Sequence, residues 1–190
     1  MKKVLLFAAL AVSSVTFAQE NNHLVKLHIG VLNKFKVSYE HPLSENLSIG
    51  GALGVYYGIF PGIKVEPSVR YYFGSECPSG LYAQGRVLFG SFSKDLIYYN
   101  YDFYTGELAY TNKKKFTSFG GGLDIGYQWI SGKNKNIVID VSLGAQIMDN
   151  NKLTEGITVN GITYTPANLT FLTTGPGAIF NPQLSIGYAF

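Results

Sequence analysis

Eight charged side chains stand on the polar faces of alternating stretches: Lys26, Lys36, Arg70 and Arg86 against Glu40, Glu66, Asp124 and Asp140. In an extended chain residues two apart share a face, so Glu66 and Arg70, four apart, point the same way. Four cations facing four anions have two chemistries open to them. Enclosed, they form a sealed, ion-paired network, since an unpaired charge away from water is costly. Strung along a water path, they become a titratable row that conducts ions or protons. Acyl-transfer chemistry needs a histidine within reach of a serine and an orienting carboxylate. His23 sits at the N-terminal edge, His28 faces the polar side without an adjacent serine, and His41 falls in a proline-containing turn. No closely spaced His/Cys set suggests a metal, and no cofactor site is expected. A non-enzyme is therefore the expectation. Cys77 is the only cysteine and cannot form an internal disulfide; it reads as a free thiol in a turn, with intermolecular pairing the minor alternative. The aromatic run Tyr98, Tyr99, Tyr101, Phe103 and Tyr104 has the composition of a binding surface. A strand pair continued past its neighbours, with its lower aromatics in an interfacial girdle, accounts for the same run.

The elements carrying these residues alternate with period two and are punctuated by turns. Val25, Leu27 and Ile29 oppose Lys26 and His28; Phe35, Val37 and Tyr39 oppose Lys36, Ser38 and Glu40. Residues 31–34 between them are a tight turn, or 24–41 is one long bent strand. Leu47–Tyr57, Lys64–Phe73, Leu81–Phe92, Phe116–Trp129 and Ile137–Met148 repeat the pattern, and Phe180–Phe190 closes it. Pro67, inside one of these stretches, lacks a ladder donor and predicts a bulge or kink. Short polar turns fall at 41–46, 74–80 and 131–136, and longer connections at 93–114 and 149–177. Asn160-Gly161, between Ile157–Val159 and Ile162–Tyr164, predicts a type I′ hairpin. No helical period is visible beyond Gln19.

Lys2 and Lys3, the apolar run Val4–Val12 and Thr16-Phe17-Ala18 read as a cleaved leader over 1–18, too short to span a bilayer as a helix. Residues 19–190 are then a single domain. Loss of the two leader lysines takes the formal charge from +3 to +1, which excludes a polybasic nucleic-acid binder. Lys113-Lys114-Lys115 is a solvated or headgroup-facing run. The 22 glycines beside 14 tyrosines and 13 phenylalanines suit a small membrane barrel, whose lumen needs clearance and whose rims carry aromatics.

Phe180, Pro182, Leu184, Ile186, Tyr188 and Phe190 give the last stretch one apolar face. It resembles the C-terminal strand of Gram-negative outer-membrane barrels, in which the assembly machinery reads a terminal aromatic with apolar residues at every second position. That resemblance implies an assembly signal at Tyr188 and Phe190 and a place in the bacterial outer membrane, with lipid as the surrounding partner. Bacterial barrels have an even strand number, so residues 24–41 must supply two strands. The expected fold is all-β, an eight-stranded antiparallel up-and-down transmembrane barrel, with any extracellular ligand met at the long connections. The segments Tyr39-Glu40-His41-Pro42-Leu43-Ser44, Pro67-Ser68-Val69-Arg70-Tyr71-Tyr72 and Gly80-Leu81-Tyr82 resemble a family of small OmpA/OmpX-like barrel proteins with YER-x-L-S, P-x-x-RYY and G-x-Y patterns. His41 replaces the usual arginine. No catalytic residues come with that resemblance.

Overall fold

The computed structural model describes residues 23–29, 34–74, 77–102, 106–131, 136–149, 157–159, 162–164 and 168–190; the leader lies outside them. Eight stretches whose apolar residues alternate with polar or small ones become the strands of a closed sheet: β1 Leu24–Ile29, β2 Lys34–Pro42, β3 Leu47–Tyr56, β4 Gly62–Tyr72, β5 Gly80–Asp102, β6 Gly106–Ser131, β7 Ile137–Met148 and β10 Gln183–Ala189. Each pairs antiparallel with its sequence neighbour, and β10 returns to β1 to close the barrel. Residues 24–41 do supply two strands, with Lys26 opposite Ser38 across them. A two-stranded hairpin, β8 Ile157–Val159 with β9 Ile162–Tyr164, stands apart from the barrel sheet. It flanks Asn160-Gly161 as expected, although the turn itself is outside the described residues.

Closure turns the alternation into an inside and an outside. Leu123 and Ile147 are 74% and 77% exposed on the outer wall, whereas Lys26 and Glu66 are 1% exposed in the lumen. That is the reverse of a water-soluble protein, which hides its large aliphatic side chains.

The structure corrects three sequence expectations and decides a fourth that was open. Pro67 produces no bulge: β4 pairs β5 at Val65↔Phe89 and again at Ser68↔Arg86 in unchanged register, leaving only a gap between. Pro67 remains paired with Gly51 on its other side. The missing donor is tolerated as a local gap in the β4–β5 ladder, with the register unchanged on either side. Residues 93–114 take the second of the two readings open to them: β5 and β6 run on as one ladder from Gly80↔Gln128 to Asp102↔Gly106, a strand pair continued past its neighbours. Tyr98, Tyr99 and Tyr101 lie on that ladder, while Phe103 and Tyr104 are outside the described residues. His41 belongs to β2, not to the turn after it. Finally, a six-residue helix, α1 Asn168–Thr173, appears where no helical period is visible; less than two turns is too short to show one.

Candidate functional site

The near end of the barrel is where β1 begins and β10 finishes. There Leu24, Val138 and Ala189 point inward and form a small apolar floor. Above it lies the first charge layer. Lys26 Nζ donates to Glu40 Oε2 at 2.7 Å, Asp140 Oδ2 at 2.8 Å and Gln128 Oε1 at 2.6 Å, using all three ammonium protons. Arg70 Nη1 donates to the same three oxygens, at 3.1, 2.9 and 3.0 Å, and its Nε donates to Gln84 Oε1 at 2.8 Å. Tyr72 and Ser48 donate to the second oxygen of Glu40 at 2.6 and 2.7 Å, and Tyr82 to the second oxygen of Asp140 at 2.6 Å. The Arg70 guanidinium lies 4.1 Å from the centre of the Tyr82 ring. Two cations and two carboxylates thus cancel, and neutral donors take up the remaining lone pairs, as a buried ionic group requires.

The second layer lies further into the barrel. Glu66 accepts from Lys36 at 2.7 Å, Lys64 at 2.9 Å and Arg86 at 2.9 Å. Arg86 also grips Asp124 with two parallel bonds of 2.5 and 2.9 Å, the bidentate geometry that a guanidinium favours. Gln183 on β10 takes a further proton of Lys36 at 2.9 Å. Glycines on the inner face make room for these groups: a Cβ on Gly144 would collide with the Asp124 carboxylate, and one on Gly126 with the Tyr82 ring.

All eight charged residues foreseen from the alternation therefore line the lumen, but in two sets. Arg70 bonds Glu40 and Asp140, while Glu66 bonds Lys36, Lys64 and Arg86, so the i, i+4 pair Glu66 and Arg70 is divided between layers. Lys64 is an additional member. It starts the inward series Lys64, Glu66, Ser68, Arg70, and that parity was its signal. The balance of the nine is five cations to four anions, with the surplus in the second layer.

The two layers are separated by a cavity of ≈ 20 Å³ bordered by His28, Ser38, Gln84 and Gln183, about the room of one water molecule. His28 Nε2 is 2.8 Å from Ser38 Oγ, so His28 does have a serine beside it, brought there by β1–β2 pairing. Its Nδ1 is buried without a partner, so the pair lacks the orienting carboxylate of a triad. Beyond the second layer the far end is closed by Tyr56, Phe60, Leu88, Phe92, Phe116 and Met148 around Phe171 of α1, itself fully buried. The chain after α1 is tied down by bonds from Lys64 and Gln146 to the Pro176 carbonyl, at 3.4 and 3.1 Å.

Cys77, in the β4–β5 connection, is a free thiol whose pKa burial pushes up to about 11. Among the described residues no three His, Cys, Asp or Glu side chains gather as a metal cluster. At the near rim, on the outer face, His23 and His41 stack with ring centres 4.6 Å apart and their Nδ1 atoms 3.1 Å apart. The Tyr39 hydroxyl is 2.6 Å from His23 Nδ1. Tyr188 is 53% exposed on the same outer wall, and the Phe190 ring stacks on His23 at 6.0 Å.

No curated protein matches the sequence. Two solved structures are similar to it at low identity: the N-terminal β-barrel domain of Pseudomonas aeruginosa OprF (16% identity, 90% of this chain and 96% of that one, TM-score 0.38) and Neisserial surface protein A (14%, 89% and 92%, TM-score 0.42). The barrel itself stands on its own strand pairing. Residues 4–169 match the family described as "Protein of unknown function (DUF3575)", and the chain belongs to that family.

Proposed function

We propose that the protein is a non-enzymatic outer-membrane barrel with a sealed polar lumen, serving a structural or surface-interaction role. The observation that carries this reading is the inverted wall: charged side chains 1–7% exposed inside, including Lys26, Lys64, Glu66 and Arg70, and large aliphatic residues 38–77% exposed outside. Only a hydrocarbon solvent makes that distribution favourable. The long β5–β6 ribbon would then project beyond the membrane on the far side, with Tyr98, Tyr99 and Tyr101 along it as the surface for an extracellular ligand. The near end would face the periplasm, and Tyr188 and Phe190 would present the last strand to the assembly machinery. Deleting Phe190 is accordingly expected to lower the amount delivered to the outer membrane while leaving refolding in detergent nearly intact.

The sealed reading is supported against a conducting one by the sequence of barriers: apolar floor, two bonded charge layers with room for about one water between them, and an aromatic cap. Planar-bilayer recording tests it. The purified protein should give no reproducible single-channel steps, and recurrent steps of fixed size would replace this reading with a conducting barrel. Recovery of the protein in the soluble periplasmic fraction would overturn the membrane assignment itself.

A further inference from the structure

Among the described residues, the rim cluster brings ligand-capable side chains outside the lumen to bonding distance of one another. Its members come together through register. Leu24 pairs with Glu40 across β1–β2 and with Ala189 across β1–β10, so the residue before Leu24 falls between His41 and Phe190. His23 is held there by backbone bonds to Phe190, from its N–H to the Phe190 carbonyl at 3.0 Å and from the Phe190 N–H to its own carbonyl at 2.9 Å. This leaves both imidazoles on the outer face with their Nδ1 edges turned together, 3.1 Å apart.

The protons do not suffice for that arrangement. His23 Nδ1 faces both His41 Nδ1 and the Tyr39 hydroxyl at 2.6 Å, yet a ring nitrogen offers either one proton or one lone pair. Only one of the two contacts can be a good hydrogen bond. A cation that accepts lone pairs from both rings removes the conflict. Two nitrogens bound to one metal at about 2.0–2.1 Å, with an angle between them of about 90–110°, lie about 2.8–3.4 Å apart, and the observed separation of 3.1 Å falls in that interval.

We propose that His23 and His41 form a surface site for a borderline-soft divalent metal ion of the zinc, nickel and copper class, with the Tyr39 side chain swinging away from His23 Nδ1 when the ion binds. Neutral imidazoles suit these ions, whereas calcium and magnesium require oxygen donors. Two side chains leave the remaining positions to water, so the site is open. It joins the start of β1 to the end of β2 beside the seam with β10.

The test uses the purified, untagged protein, with folding verified by heat-modifiable migration for every variant. Zinc titration should show saturable binding of one ion per chain. His23→Gln and His41→Gln should each weaken it by at least about tenfold, since loss of even an outer-shell partner commonly costs that much. His28→Gln, inside the lumen, should leave it unchanged. Copper(II) loaded on the same samples should give an electron paramagnetic resonance spectrum with nitrogen coupling from two imidazoles, reduced to one in each rim variant. Zinc uptake that is undiminished in both rim variants, absence of saturable uptake by the wild-type protein, or a copper spectrum without two-imidazole coupling would each overturn the site.

Discussion

The two charge layers are built from the same residue types and differ in how their charges are shared. In the near layer Glu40 and Asp140 each bond both Lys26 and Arg70, and tyrosine, serine and glutamine complete the coordination. In the second layer Glu66 serves three cations while Asp124 has Arg86 as its ion-pair partner. The near layer is neutral and cross-linked, so each charge has a substitute. Counted over its bonded members, the second carries one cation too many, and three of its four ion pairs fall on Glu66. A buried ionic cluster is held by how its charges are distributed over partners, not by how many pairs can be counted.

Removing the shared carboxylate should break the comparison most strongly. Glu66→Gln leaves Lys36, Lys64 and Arg86 facing only Asp124, and is expected to cost toward the upper end of the ~3–5 kcal/mol typical of a broken buried pair. Glu40→Gln leaves Lys26 and Arg70 with Asp140 between them, and should fall at the lower end of that range. Urea unfolding in detergent micelles measures both. Equal losses would mean that the layers share charge across the cavity and act as one network.

Arg86→Met comes next. It brings the second layer's formal charge to zero but strands Asp124, and we expect about 3 kcal/mol of destabilisation. A negligible effect in the same micelle assay would show that Asp124 is neutralised by another route. Lys64→Met is the milder counterpart. It removes the surplus cation, leaves Lys36 and Arg86 against Glu66 and Asp124, and places an apolar side chain beside the Tyr56 ring, which lies 5.5 Å from Lys64 Nζ. Stability should stay within about 1 kcal/mol of the parent. A loss as large as that of Arg86→Met would show that charge surplus has no bearing on the layer.

This contrast was only half legible in the sequence. Alternation placed Lys26, Glu40, Glu66 and Arg86 on inner faces because a strand's period of two is a local property. The partition into layers was not readable, since it depends on the stagger between strands, which the turns and the closing β1–β10 pair set together. For that reason Glu66 and Arg70, neighbours on one face, belong to different layers. The aromatic cap was hidden for another reason: Phe171 lies in the β7–β10 connection on a six-residue helix, too short to show a period. His23 and His41 read as an edge residue and a turn residue because nothing local announces a pairing across 18 positions. Pro67 misled in the opposite sense, since its missing donor is absorbed by a local gap in the β4–β5 ladder without any change of register.

The rim supplies the smallest expected effect and the sharpest contrast with the lumen, because its titrating group, His23, is partly open to water. The pKa of His23 is lowered, first by burial and then by the nearby His41. The folded barrel thus binds that proton less readily than the unfolded chain, whose histidines titrate near 6.5. Between pH 6.5 and the lowered folded value the unfolded state holds more protons, so stability rises with pH and is lost as the pH falls through this window. Solvent screening at a largely exposed site keeps the change under about 0.5 kcal/mol. Micelle unfolding midpoints measured in the presence of a chelator between pH 7.5 and 5 should therefore decline slightly, and His23→Gln should flatten that part of the profile. An unchanged decline in the variant would move the titrating group elsewhere, and a flat profile in the parent would mean that the two rings separate in solution and carry their protons independently.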